Sequence, residues 1–99
     1  MSRATPSGAG ASRLFRQLST PTEIHLRRLG VRDALGRLER YLNDAATIGM
    51  PRVHVIHGKG TGILKAAVLD YLTGHSLVAR CYPAAPGEGN GGVTIAVLK

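Results

Sequence analysis

Cysteine is almost missing from this chain. Cys81 stands alone among 99 residues, which excludes an internal disulfide framework and a cysteine zinc site. A reduced, cytoplasmic setting is expected, with Cys81 as core packing. Acidic residues are scarce as well: six Asp and Glu stand against thirteen Lys and Arg, a net charge of +7. The six are scattered, so no carboxylate-rich metal cluster and no Ser-His-Asp arrangement can be picked out. Long apolar runs are also lacking. None approaches the ~20 residues that a membrane span needs. The first twenty residues are small, polar and basic without an apolar centre, so they show no signal-peptide pattern. No membrane partner is expected.

What is present is enough chain for one domain with a thin core. Ten of the thirteen basic residues are arginine, whose planar fork suits phosphate better than the point charge of lysine. Such an excess argues for a polyanionic partner, nucleic acid before a membrane surface, with solubility alone as the competing explanation. Residues 1–12, "MSRATPSGAGAS", are low in complexity and read as a flexible arm or linker. "RLFRQLSTP" adds a small apolar cluster of Leu14, Phe15 and Leu18. The arm is therefore set at 1–22 and the folded domain at 23–99.

Within the domain, "EIHL" (23–26) alternates as a short strand. Val31, Ala34, Leu35, Leu38, Tyr41, Leu42 and Ala45 form a helical stripe across 31–48, with Gly49 placed to end it and Pro51 to prevent continuation. "RVHVIH" (52–57) is a second strand, and Leu64, Ala67, Val68, Tyr71 and Leu72 mark a second helix with Gly74 near its stop. "LVARCY" (77–82) and "VTIAVL" (93–98) are two more strands around a Gly- and Pro-rich loop. The predicted order is β-α-β-α-β-β. Its first strand–helix–strand unit makes strands one and two parallel. Two helices cannot cover both faces of a four-stranded sheet, so one face should stay open. Ile24 and Leu26 should face inward with His25 and Arg27 opposite. In strand four, Val93, Ile95 and Val97 are expected to face the helices, with Thr94 and Ala96 outside.

Chemistry concentrates in "HGKGTG" (57–62), between strand two and the second helix. In a parallel pair, ligands favour the crevice beyond the carboxyl ends of the strands. "RRLG" (27–30) ends strand one at that same edge, so Arg28, Arg32 and Lys59 can converge there. Gly58, Gly60 and Gly62 permit positive φ and close backbone approach, as an anion nest at a helix N-terminus requires. Lys59 and Thr61 add a charge and a hydroxyl. The spacing matches neither a P-loop nor a dinucleotide loop, and a tight turn alone explains two of the three glycines. His57 is a general acid or base, a phosphate contact, or a hydrogen-bonding residue that fixes the turn. His25 is either simply solvated or a partner of His57. His54 and His75 show no informative spacing.

"VHVIHGKGTGILKAAVLDYL" and "GHSLVARCYPAAPGEGNGGVTIAVL" together resemble the Smr (small MutS-related) domain, most of all the version that ends bacterial MutS-two-type proteins. The likeness covers roughly 23–99, and "HGKGTG" carries the family's H-G-x-G-x-G signature in full. It implies a two-layer α/β sandwich similar to the C-terminal domain of bacterial translation initiation factor three. It also implies DNA or RNA binding, often with sequence-nonspecific endonuclease activity, in recombination control, DNA repair or rescue of stalled ribosomes. Arg27, Arg28, Arg32, Lys59, Thr61 and Lys65 would then hold nucleic acid, and His57 and His25 would be the catalytic candidates. No cofactor or metal ligand is assigned, and a divalent cation, Mg²⁺ or Mn²⁺, is considered only in the case of cleavage. One motif departs from the family: L-D-L-[HR]-G is here "IHLRR" (24–28), with His25 where the acid is expected and Arg28 in place of glycine. The alternative function is accordingly a non-catalytic module that docks on DNA, RNA or the ribosome.

Overall fold

The computed structural model describes residues 21–85, 87 and 91–99. Apart from Pro21 and Thr22, the arm expected at 1–22 and its Leu14, Phe15 and Leu18 cluster lie outside the described residues. The elements are β1 (Glu23–His25), α1 (Val31–Thr47), β2 (Arg52–Ile56), α2 (Ile63–Thr73), β3 (Val78–Pro83) and β4 (Val93–Leu98). They form one sheet in the order β1-β2-β4-β3. β1 and β2 are parallel, and β4 runs antiparallel to both of its neighbours. This is the expected mixed four-stranded sheet with two helices.

The helical stripe of α1 buries Ala34, Leu38, Tyr41, Leu42 and Ala45. They share one core with Ile24 and Leu26, with Val68 and Leu72 of α2, and with Val53, Val55, Ala96 and Leu98 of the sheet. Both helices therefore cover the same face, and the other stays open. The end of α1 is closed as its glycine foretold. Gly49, at φ 80°, donates its N–H to the Ala46 carbonyl at 3.1 Å, and Met50 donates to Ala45 at 3.0 Å. These two bonds are the paired closure of a Schellman motif.

Glu39 ties the two helices together at the far end of α2. Its carboxylate accepts from the Tyr71 hydroxyl and lies 2.6 Å from His75 Nε2. Leu77 N–H donates to His75 Nδ1 at 3.0 Å, which leaves the proton on Nε2, facing Glu39. The hydrogen bonds from Tyr71, His75 and Asn43 hold the Glu39 carboxyl down at about 2. Burial, and then the bond to Glu39, push the Tyr71 phenol up to about 12.

One expectation is reversed. In β4, Thr94, Ala96 and Leu98 face the helices, while Val93, Ile95 and Val97 lie on the other face. The register decides this: Thr94 pairs with Val55 and Ala96 with Val53, both buried under the helices, whereas Val93, Ile95 and Val97 pair with Ile56, His54 and Arg52. Residues directly opposite in an antiparallel pair share a face. Choosing the inward set by apolar size failed because the helix layer meets β4 at small residues. The open face is thus more apolar than expected, and Ile95 within it is itself largely buried.

Candidate nucleic-acid interface

The site begins with the turn that leaves β1. Leu26 still joins the ladder, donating to the Ile56 carbonyl at 2.8 Å, and Leu29 N–H closes back on the Leu26 carbonyl at 3.3 Å. Arg28 occupies the third position of that turn at φ 69°, a left-handed conformation that L residues avoid and glycine accepts freely. The residue that the family resemblance replaces with glycine is the strained one. The turn leaves Arg27 exposed on the open face, and its Cγ lies 3.3 Å from where a Cβ on Gly58 would stand.

The glycine loop is pinned from the other side. His57 and Gly58 both donate their N–H groups to the Gly92 carbonyl at 3.0 Å, immediately before β4. The His57 ring faces the helix layer and is only 4 % exposed. Its Nδ1 lies 2.8 Å from the Gly58 carbonyl and its Nε2 lies 2.9 Å from Thr94 Oγ1. With the Gly58 carbonyl accepting from Nδ1–H, Nε2 accepts from the Thr94 hydroxyl, and both polar groups are satisfied in the core. Gly58, Gly60 and Gly62 take φ 80°, 34° and 88°, all in the left-handed range. Gly62 caps α2 in that conformation, and Thr61 Oγ1 accepts from the Ile63 N–H at 3.3 Å. The first turn of α2 thus points backbone N–H groups and the positive end of its dipole into the loop.

Two cavities flank this loop. On the open face, one of about 520 Å³ has Ile56 and Val93 beneath it and His25, Arg27 and Lys59 around it, closed by Gly58, Gly60 and Gly92. On the helix side, a smaller one of about 170 Å³ gathers Arg28, His57, Lys59, Thr61 and Lys65 about the same glycines. Lys59 borders both. Arg27 borders only the open-face cavity, whereas Arg28, Lys59, Thr61 and Lys65 are brought together on the helix side. Arg32 is not: it lines a groove along α1 with Arg37 and Arg40. His25 and His57 are not partners either. They stand on opposite faces of the sheet and border different cavities. The partner of His25 is Glu23, two residues earlier on the same face, with Oε1 3.5 Å from Nε2.

Sequence reasoning missed Thr94 and Gly92. Thr94 carried a signal, being the only polar residue inside β4. The residues at the loop do not fit a Mg²⁺ or Mn²⁺ ion, which prefers carboxylate oxygens. Among the described residues, the open-face cavity is bordered by two cationic side chains and no carboxylate. Among the described residues no three His, Cys, Asp or Glu side chains converge.

The family model for the Smr domain matches residues 24–99. The chain belongs to the Smr domain family. Over 77 residues this Smr domain is 51% identical to endonuclease MutS2 of Thermomicrobium roseum, covering 78% of the chain and 10% of that protein. The chain thus spans about a tenth of the curated relatives it matches. Among solved structures, the Smr domain of Thermus thermophilus MutS2 superposes with a TM-score of 0.77 at 37% identity, covering 80% of this chain and 99% of that one. YdaL, a stand-alone small MutS-related protein from Escherichia coli, shares the fold at a TM-score of 0.74 and 24% identity, covering 95% and 79% of the two chains. Among the described residues no helix is long and apolar enough to cross a membrane.

Proposed function

We propose that this Smr domain binds DNA or RNA in the crevice beyond the carboxyl ends of β1 and β2, and cleaves phosphodiester bonds there without sequence preference. The observation that carries the reading is Arg27 laid against Gly58, so that its guanidinium, Lys59 and the glycine-loop backbone border one cavity. Cations so placed neutralise phosphates and release their counterions, a contribution that ignores base sequence. Arg28, Thr61 and Lys65 extend the contact to the helix side, where the N-terminus of α2 favours an anion. His57 acts through the loop it holds, orienting the phosphate-binding backbone.

In a longer protein of MutS2 type the domain would serve recombination control, DNA repair or ribosome rescue. A second reading is favoured by His25 at the position where the family carries an acid. In that reading the domain only docks its parent protein on nucleic acid or the ribosome.

The deciding experiment offers the protein labelled single-stranded RNA and supercoiled plasmid in parallel, following binding and cleavage with and without Mg²⁺ or Mn²⁺. The proposal expects salt-sensitive binding, with cleavage of at least one substrate that falls in His57→Ala and His25→Ala. Binding without turnover leaves the docking reading; no binding at moderate salt overturns both.

A further inference from the structure

We propose that the outer edge of β1 docks an extended acidic segment of another protein, which adds to the sheet as a further strand with its carboxylates on Arg37 and Arg40. The inference concerns a surface apart from the glycine loop and does not rest on the nucleic-acid reading above.

β1 is an outer strand of the sheet, with β2 on its inner side. Leu26 N–H donates to the Ile56 carbonyl at 2.8 Å, and His54 N–H donates to the Thr22 carbonyl at 3.0 Å. Ile24 lies between them, in register with Val55. In a parallel ladder these alternate residues turn their backbone groups towards β2, so the N–H and C=O of Glu23 and His25 point away from it. Among the described residues no strand meets them. Such a row of outward donors and acceptors is a template for strand addition.

The edge opens into a groove. Between β1 and α1 runs a cavity of about 310 Å³, with Glu23, Ile24 and His25 on one side and Arg37, Arg40 and Tyr41 on the other. The Tyr41 hydroxyl donates to the Pro21 carbonyl at 2.6 Å and holds the start of the strand against the helix. Arg37 and Arg40 also border a second groove of about 420 Å³, which continues past Gly36 to Arg32 and Leu29. Gly36 is exposed in the middle of α1, with nothing within 4 Å of where a Cβ would stand. Alanine would favour the helix more, and the missing side chain keeps this groove open to an incoming backbone.

Charge selects the occupant. Arg37 and Arg40 are exposed, and among the described residues neither enters an ion pair, although Asp33 and Asp44 lie one turn away. The two carboxylates that border the first groove are already engaged, Glu23 with His25 at 3.5 Å and Asp44 with a partner of its own. An added strand alternates its side chains, so every second one faces the helix layer and reaches the two guanidiniums. Carboxylates placed there accept forked, charge-assisted hydrogen bonds. Residues 1–20 of this chain hold three arginines and no acid, so they do not complement the site. A second copy paired edge to edge sets both arginine pairs along one seam, where like charges repel.

The test uses the full chain and a fluorescein-labelled peptide of alternating Thr and Glu, followed by anisotropy, with Thr-Gln and Thr-Lys peptides as controls. Only the Thr-Glu peptide should bind, and NMR hydrogen exchange should slow at the Glu23 and His25 amides but not at His57 or Gly58. Arg37→Gln combined with Arg40→Gln should weaken the peptide at least about tenfold without altering the melting curve. Arg37→Glu combined with Arg40→Glu should transfer binding to the Thr-Lys peptide. N-methylation of alternate peptide amides separates strand addition from charge contact: methylating one set, Thr or Glu, abolishes binding, and methylating the other is tolerated. No binding up to about 1 mM peptide, full binding by the glutamine variant, or the same response to both methylation patterns overturns the inference. An equal loss of single-stranded RNA affinity in the glutamine variant also overturns it, by making the arginines a nucleic-acid contact. So does a dimer in sedimentation equilibrium that the peptide fails to disperse, which gives the edge to a second copy.

Discussion

Arg28 holds a left-handed backbone at a turn position that glycine fills without strain. For an L residue that conformation costs roughly 1–2 kcal/mol, partly offset by the greater unfolded-state freedom of glycine. Arg28→Gly should therefore raise stability by up to about 1 kcal/mol in urea denaturation while weakening nucleic-acid affinity. A clear loss of stability would show that the arginine side chain, not the backbone, dominates there. The glycine loop offers a sharper comparison. Gly58 and Gly62 share nearly the same φ, but only at Gly58 would a Cβ meet a side chain, that of Arg27. Gly58→Ala and Gly62→Ala should each cost about 1–2 kcal/mol in strain. Only Gly58→Ala should also displace Arg27, and anisotropy should show the larger affinity loss in that variant. The loop and its cations were legible in the sequence because the glycines, the lysine and the helix start are contiguous. The His57–Thr94 bond was not, because it joins residues brought together only by the β2–β4 register.

At the scale of elements, the Glu39 clamp makes the packing of α1 on α2 sensitive to acid. Folding lowers the Glu39 carboxyl from its ordinary 4.5 to about 2. The unfolded chain therefore binds this proton first as pH falls, and the stabilisation is complete above about pH 4.5 and is lost on the way down to about pH 2. Because the Glu39 side chain is 46% exposed, solvent screens much of the effect. Urea midpoints of the wild type should fall across that interval more steeply than those of Glu39→Gln; parallel curves would remove Glu39 from the clamp. The elements themselves were largely readable. α1 announced both its buried stripe and its terminating glycine, and the βαβ handedness rule gave the parallel β1–β2 pair. β4 was misread because "VTIAVL" is apolar on both faces, so alternation alone carries no information about direction. Pairing supplied that information, and pairing is a long-range property.

Across the molecule, the +7 charge is unevenly used. Lys59 and Arg28 meet at the loop, whereas Arg32, Arg37 and Arg40 line a groove along α1. If the loop is the phosphate site, replacing Lys59 and Arg28 together by alanine should reduce the slope of log affinity against log salt by about 1.5–2. Replacing Arg37 and Arg40 together should change it less. Equal reductions would spread the interface over α1 and dissolve the distinction between site and surface.

The order of the sheet also sets a schedule for synthesis. β4 is translated after the other three strands yet sits between β2 and β3. A nascent chain that has exposed β1, α1, β2 and α2 still lacks the strand that joins β2 to β3. It also lacks the Gly92 carbonyl that anchors His57 and Gly58. The cationic loop therefore emerges from the ribosome well before it can take its binding shape. If the domain binds nucleic acid as proposed, this order keeps it from gripping the polyanionic surface on which it is being made.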